Sequence, residues 1–235
     1  MENLQTSINT ANQRPFHFNR IIIQDWIEYQ PMSNQSESET DDPARWWNEV
    51  YESETVSPWN TGKPQPALVN AVGSDGLSGR VLDVGCGTGT HALWAAAEGH
   101  TAVGIDFSKK GIEQARERVE KRGLDATFRV ADALDVPTDI GTFDIVLDSG
   151  LFHAFQNEQR EDYARELAGI VSVGGRVFLV GFAEGAPEDG GPNPLTPNDV
   201  SSAFTTEWNV LETQEVAFET NETSFPGLLS VVERI

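Results

Sequence analysis

From residue 43 onward, apolar positions follow two alternating periods. In DPARWWNEVYES, an Asp-Pro start precedes Trp46, Trp47, Val50 and Tyr51 on one helical stripe, which predicts a helix. A turn-rich loop, SPWNTGKPQPALVNAV, runs into a second, short helix. Strand-length apolar runs then alternate with helical stretches: strand 80–84, helix 89–98, strand 101–105, helix 109–122, strands 126–131 and 143–148, helix 157–171 and strand 175–182. Such alternation predicts parallel βαβ units, and hence an α/β fold whose sheet is covered by helices on both faces. The tail is different. EWNVLETQEVAFET and GLLSVVERI read as two strands on either side of NETSFPG, predicting an antiparallel closing pair.

Residues 1–42 lack this order. Asn, Gln, Ser and Thr dominate residues 1–31 with no persistent period, and Met32 opens the acidic stretch MSNQSESETDDP. We expect residues 1–42 to be a disordered segment, Met32 to be the physiological start, and 43–235 to form a single domain. The 235 residues suffice for one core. No apolar run reaches bilayer length and no secretory leader is evident, which predicts a cytoplasmic protein without a membrane partner. The single cysteine, Cys86, excludes an internal disulfide framework, and the four histidines show no metal-ligand spacing, so no metal is expected.

Charge narrows the partners. The net charge is −21, and only four of the sixteen basic residues are lysine. Such a surface repels phosphate backbones and anionic lipid, arguing against nucleic acid. Dispersed acid excess with scarce lysine resembles the proteins of salt-loving archaea, where screening makes dense charge tolerable. Oligomeric state is not readable.

The chemistry centres on VLDVGCGTGT, residues 81–90, where glycines alternate at 85, 87 and 89 straight after a strand. A glycine-rich turn between a parallel strand and a helix is where doubly wound folds approach nucleotides. The dinucleotide fingerprint needs its third glycine at position 90, which is Thr, so the register argues mildly against a nicotinamide cofactor. Three further acids close apolar runs: Asp106 in TAVGIDFS, Asp132 in FRVADALDVP and Asp148 in GTFDIVLDSG. A carboxylate at Asp106 can accept both hydroxyls of a ribose. Taken singly, each acid could be an ordinary turn residue or cap.

In this order the motifs resemble those of the class I S-adenosylmethionine-dependent methyltransferases, from about residue 45 to the end. The resemblance implies a Rossmann-like seven-stranded, mostly parallel sheet with an antiparallel C-terminal strand, and S-adenosyl-L-methionine as cofactor. It places Asp83, Gly85, Cys86, Gly87 and Gly89 around the methionine and ribose, with Cys86 a spacer rather than a nucleophile. Asp106 then falls on the ribose, Phe107 on the adenine, Asp132 and Ala133 on the adenine amine, and Asp148 beside the transferring methyl. WWNEVYESETVSPWNTGKPQPAL is similar to the lead-in of the thiopurine and halide/thiol methyltransferases, which puts Trp59 over the sulfonium, a cation suited to an indole face. GGPNPLTPNDV resembles that group's acceptor loop and brings Pro194 to the acceptor, while Thr196 and Asp199 make a sound helix start.

The chain departs from the halide enzymes at Asp148-Ser149-Gly150-Leu151-Phe152-His153. His153 is therefore a candidate general base for a thiol acceptor, with Phe152 and Phe182 as pocket walls. Packing roles explain all three equally well. The expected activity is methyl transfer to a small-molecule thiol or other sulfur or selenium nucleophile by direct in-line displacement. The alternatives are a small-molecule O- or N-methyltransferase, a non-catalytic S-adenosylmethionine-binding module, and, among other enzymes, a nicotinamide-dependent oxidoreductase.

Overall fold

The computed structural model describes residues 43–53, 57–73, 78–186 and 193–235. The expectations for residues 1–42, including a start at Met32, fall outside them. Among the described residues, six α-helices and seven strands follow in the order α1 (Pro43–Glu52), α2 (Pro66–Val72), β1 (Arg80–Val84), α3 (Thr90–Ala97), β2 (Thr101–Asp106), α4 (Lys109–Arg122), β3 (Ala126–Val130), β4 (Phe143–Ser149), α5 (Asn157–Ile170), β5 (Val171–Phe182), α6 (Pro197–Ala203), β6 (Trp208–Glu219) and β7 (Ser224–Arg234). Among the described residues no helix is long and apolar enough to cross a membrane.

The strands form one seven-stranded sheet in the order β3-β2-β1-β4-β5-β7-β6. Strands β1 to β5 pair in parallel, and β7 runs antiparallel between β5 and β6. Successive side chains of a strand point to opposite faces, so both faces bury a core. Leu82 and Val84 pack with Tyr163 and Leu167 of α5 and Val200 of α6. Val81, one position away, packs with Leu68 of α2, Leu93 of α3 and Ile112 of α4 on the other face. The register levels the ends of three neighbouring strands: Val84 of β1 lies opposite both Ile105 of β2 and Asp148 of β4. That alignment gathers the acids closing these strands at one carboxyl edge.

Local chemistry sets the boundaries. Ser108 caps α4 by accepting from Gly111 N at 3.2 Å, and Gly123 ends the helix in the left-handed region with Lys121 and Arg122 in the last turn. Helix α3 starts at 90 rather than 89 because Gly89, at φ 79°, caps it in a left-handed conformation. Strand β5 begins at Val171, earlier than the apolar pattern suggests. The register with β4 jumps from Phe143↔Val171 to Ile145↔Arg176, so Ser172–Gly175 form a bulge, with Gly174 at φ 81°. At the tail, Phe225 and Pro226 belong to β7 and only 220–223 form the turn. Proline is tolerated there because the carbonyl of Pro226 is the group used, accepting from Ala183 N at 3.0 Å.

Candidate active site

The glycine loop follows β1, with Gly85, Gly87 and Gly89 all at positive φ. A Cβ on Gly87 would come within 2.5 Å of the Tyr51 hydroxyl oxygen, and one on Gly85 would press on the Leu151 side chain at 3.0 Å. Backbone and neighbours thus meet at the strand ends with no room for side chains. Cys86 points the other way: it is buried, and a Cβ on Gly104 would sit 2.9 Å from its Sγ. Burial pushes its thiol well above the usual range, so it is an inert packing group.

Three carboxylates are buried at the level strand ends. Asp83 is 1% exposed, and its Oδ2 accepts from Ala92 N at 2.8 Å, fastening the start of α3 to β1. Asp106 accepts from Gly87 N and Ser108 N, both at 2.8 Å, and so ties the glycine loop to the start of α4. Asp148, fully buried, accepts from Leu151 N at 2.9 Å, Phe152 N at 3.1 Å and the Tyr163 hydroxyl at 2.8 Å. Among the described residues none of the three has a basic partner within ion-pair distance. Burial lifts Asp83 to about 7, and Asp106 and Asp148 each to about 6. A compact group of buried acids without a counter-cation suits a ligand that brings its own positive charge. A sulfonium joined to an α-amino group fits that donor set.

The other expected cofactor residues lie around these acids. Phe107 is half-buried directly after Asp106, and Ala133 is buried. Asp132 is exposed and turns its Oδ1 to Leu134 N at 2.9 Å. Trp59 is half-buried and meets Trp47 edge-to-face, with ring centres 5.7 Å apart.

Beyond β4 the surroundings become aromatic. His153 follows Phe152 in a short 3-10 turn. Its Nδ1 accepts from Phe182 N at 2.8 Å, and its ring leans on Phe182 and Phe218 with centres 5.2 and 6.0 Å away. Burial, assisted by the charge of Arg160, lowers its pKa to about 3. The neutral ring with Nδ1 occupied carries its proton on Nε2, beside Gly150, and is therefore a hydrogen-bond donor. This tautomer does not suit the general base considered for it from sequence. Phe152 is buried against Tyr163 and Phe204, whereas Phe182 is half-buried. Pro194 is exposed, just before the buried Leu195 that docks on Phe182 O at 2.7 Å.

Several site residues carry no sequence motif. Tyr51 lies over both Gly87 and Gly111, and Asn48 accepts from Ser108 Oγ and Lys110 N, docking α1 on the start of α4. The one clue was Gly111 inside a helix, a costly residue unless something approaches closely. Thr88 donates to Asn60 Oδ1 at 3.2 Å and accepts from Arg118 at 2.6 Å. Arg160 pairs with Asp199 at 2.5 Å, joining the starts of α5 and α6, and its buried Nε has no partner among the described residues. Among the described residues no cluster of His, Cys, Asp or Glu could hold a metal ion.

Comparison with known proteins matches this frame. A family described as a methyltransferase domain matches residues 81–175, the segment from β1 into β5. The chain is 34% identical over 156 residues to a 2-heptyl-1-hydroxyquinolin-4(1H)-one methyltransferase of Mycobacteroides abscessus, covering 65% of this chain and 69% of that protein. It is 27% identical over 138 residues to "Probable thiol methyltransferase 2" of Arabidopsis thaliana, covering 58% of this chain and 61% of that one. Among solved structures, one described by the conversion of a disulfide bond into a thioacetal group during echinomycin biosynthesis aligns with a TM-score of 0.74 at 28% identity, over 81% of this chain and 91% of that one.

Proposed function

The chain belongs to the S-adenosyl-L-methionine-dependent methyltransferases, and from that premise we propose that its acceptor is a small molecule whose nucleophilic atom ionises without help from an enzyme base, a thiol or other sulfur or selenium nucleophile before any other. The cofactor supplies a methyl group on a sulfonium, an electrophile that needs no further activation. What this chain adds is alignment, exclusion of water and neutralisation of charge. Asp83 and Asp106 hold the glycine loop and the starts of α3 and α4, so that their carboxylates and the loop amides form a fixed rim for a cationic ligand. Trp59 offers an indole face on the same side.

The observation that carries the acceptor class is the hydrogen bond from Phe182 N to Nδ1 of His153. Its Nδ1 is filled by Phe182 N and its Nε2 bears the proton, while Asp148 is committed to two backbone amides and Tyr163. Neither group is free to remove a proton from an acceptor. That favours nucleophiles that shed their own, and thiols, with ordinary pKa values around 8.5, do so far more readily than alcohols. His153 Nε2–H can then donate to the acceptor and help orient it. The thiol relative and the disulfide-to-thioacetal structure support sulfur. The hydroxyquinolinone relative supports a second reading within the same rule, an acidic N-hydroxy oxygen on a heteroaromatic ring.

The test is transfer from methyl-labelled S-adenosylmethionine to a panel of hydrosulfide, aromatic and aliphatic thiols, selenide, iodide, an N-hydroxyquinolinone, phenols and amines, at low salt and in molar potassium chloride. Sulfur or selenium products are expected. Transfer only to the N-hydroxy oxygen selects the second reading, and transfer only to alcohols or amines defeats the acceptor rule. Tight cofactor binding with no product from any acceptor makes the chain a binding module.

A further inference from the structure

The segment that carries Trp59 has no regular secondary structure, and most of what holds it comes from the far end of the chain. Within the segment, Asn60 N reaches Ser57 O at 2.9 Å and Thr61 N reaches Trp59 O at 3.0 Å. The supports of its backbone from outside come from the β6–β7 turn, while the Trp59 ring itself meets Trp47 and Tyr51 of α1. Asn221 N donates to Pro58 O at 2.8 Å, and Asn221 Nδ2 donates to Ser57 O at 3.0 Å and Asn60 O at 3.3 Å. Asn60 passes the connection on, since its Oδ1 accepts from Thr88 inside the glycine loop. A second path runs beside it. Gln65 and Glu219 exchange two hydrogen bonds of 2.8 and 2.9 Å, and Gln65 N donates to Nε2 of His91, the second residue of the helix that follows the loop. The turn at 220–223 therefore reaches the glycine loop through Asn60, and the end of β6 just before it reaches α3 through Gln65.

We propose that the β6–β7 turn positions the cofactor site, with Asn221 as the positioning residue that holds Ser57–Asn60, and with them Trp59, against the glycine loop. Asn221 is exposed, so its amide does not fill a core. Its three contacts all fall on carbonyls of this one segment. The inference rests on the reading that Trp59 and the glycine loop border the cofactor.

The experiment is calorimetric titration of the full chain with S-adenosylmethionine and, separately, S-adenosylhomocysteine. Asn221→Ala and Asn221→Asp both remove the amide donor, the second without changing shape. Each should weaken both ligands about tenfold, the scale of two ordinary hydrogen bonds. Asn221→Gln, which keeps an amide donor, should recover part of the loss. Trp59→Ala should weaken binding on its own, and adding Asn221→Ala to it should cost little more, because the strut then has nothing to present. Unchanged affinity in Asn221→Ala overturns the inference while leaving the cofactor site intact. Losses that simply add to those of Trp59→Ala overturn it as well, since Asn221 would then act elsewhere. Unchanged affinity in Trp59→Ala instead defeats the underlying reading of the site.

Discussion

The two halves of the proposed site are built differently. On the β2-β1-β4 side, the groups we propose for the cofactor come from strand ends and their immediate turns: Asp83, the glycine loop, Asp106 and Asp148 lie level because three parallel strands share one register. On the β4-β5-β7 side, the groups we propose for the acceptor are side chains from separate elements, such as His153, Phe182 and Phe218, packed ring against ring. The first half is a matter of backbone and charge, and serves one ligand. The second is a matter of side-chain shape, and can change its ligand without disturbing the first.

That contrast breaks down if substitutions on one side behave like those on the other. The largest effect belongs to Asp106→Ala, which removes the acid closing β2 and the partner of Gly87 N. Cofactor affinity should fall about a hundredfold or more by titration, with little change in how acceptors are ranked. Next comes pH. Burial holds Asp83 to about 7 and Asp106 and Asp148 to about 6, so a cationic ligand must expel protons from them in mild acid. Affinity for S-adenosylmethionine should rise between pH 5 and 8, up to about tenfold per unit for each proton released, and its binding heat should depend on buffer ionisation. On the acceptor side, His153→Asn should lower kcat about tenfold, the scale of one lost donor, with cofactor affinity unchanged. Its pH–rate profile should keep the wild-type shape, and a selective loss at low pH would restore the general base.

Stability should show the same division with smaller effects. The raised carboxyls keep protons that the unfolded chain, near 3.8, would release, so their contribution is present in acid and is lost as pH rises through 6 to 7. His91 and His153 act oppositely. Burial lowers them to about 4 and 3 from 6.5, so their contribution is complete above pH 6.5 and is lost as pH falls towards those values. The two trends offset each other between pH 4 and 7, and Asp148→Asn should unbalance them, its Tm gaining on the wild type as pH rises. Smallest of all, Tyr163→Phe deprives Asp148 of one partner and should cost about 1–2 kcal/mol in urea unfolding.

How much of this was legible in the sequence follows the same line. Strand and helix positions came from two clean periods, and the glycine loop with its acids came from fixed offsets along neighbouring elements. Errors fell where turn chemistry overrode the pattern: the bulge at Ser172–Gly175, and Pro226 at the start of β7. Tyr51 on Gly87, Asn221 on the carbonyls of Ser57, Pro58 and Asn60, and the tautomer of His153 could not be read, because each depends on contacts between residues far apart in sequence. A hydrogen bond from Phe182 N decides what His153 can do, and no spacing encodes it.

The position of β7 also constrains how the chain is made. Because it sits between β5 and β6, β6 is synthesised before the strand it must pair with. Until residues 224–234 leave the ribosome, the β5 edge, with Val177, Leu179 and Val180 along it, lacks the strand it pairs with among the described residues. Folding of the nascent chain therefore cannot finish from the front. Of the strands of this sheet, β7 is the last in chain order and the one that closes it, so a nascent chain that has not yet made β7 leaves the β5 edge open to wrong pairing.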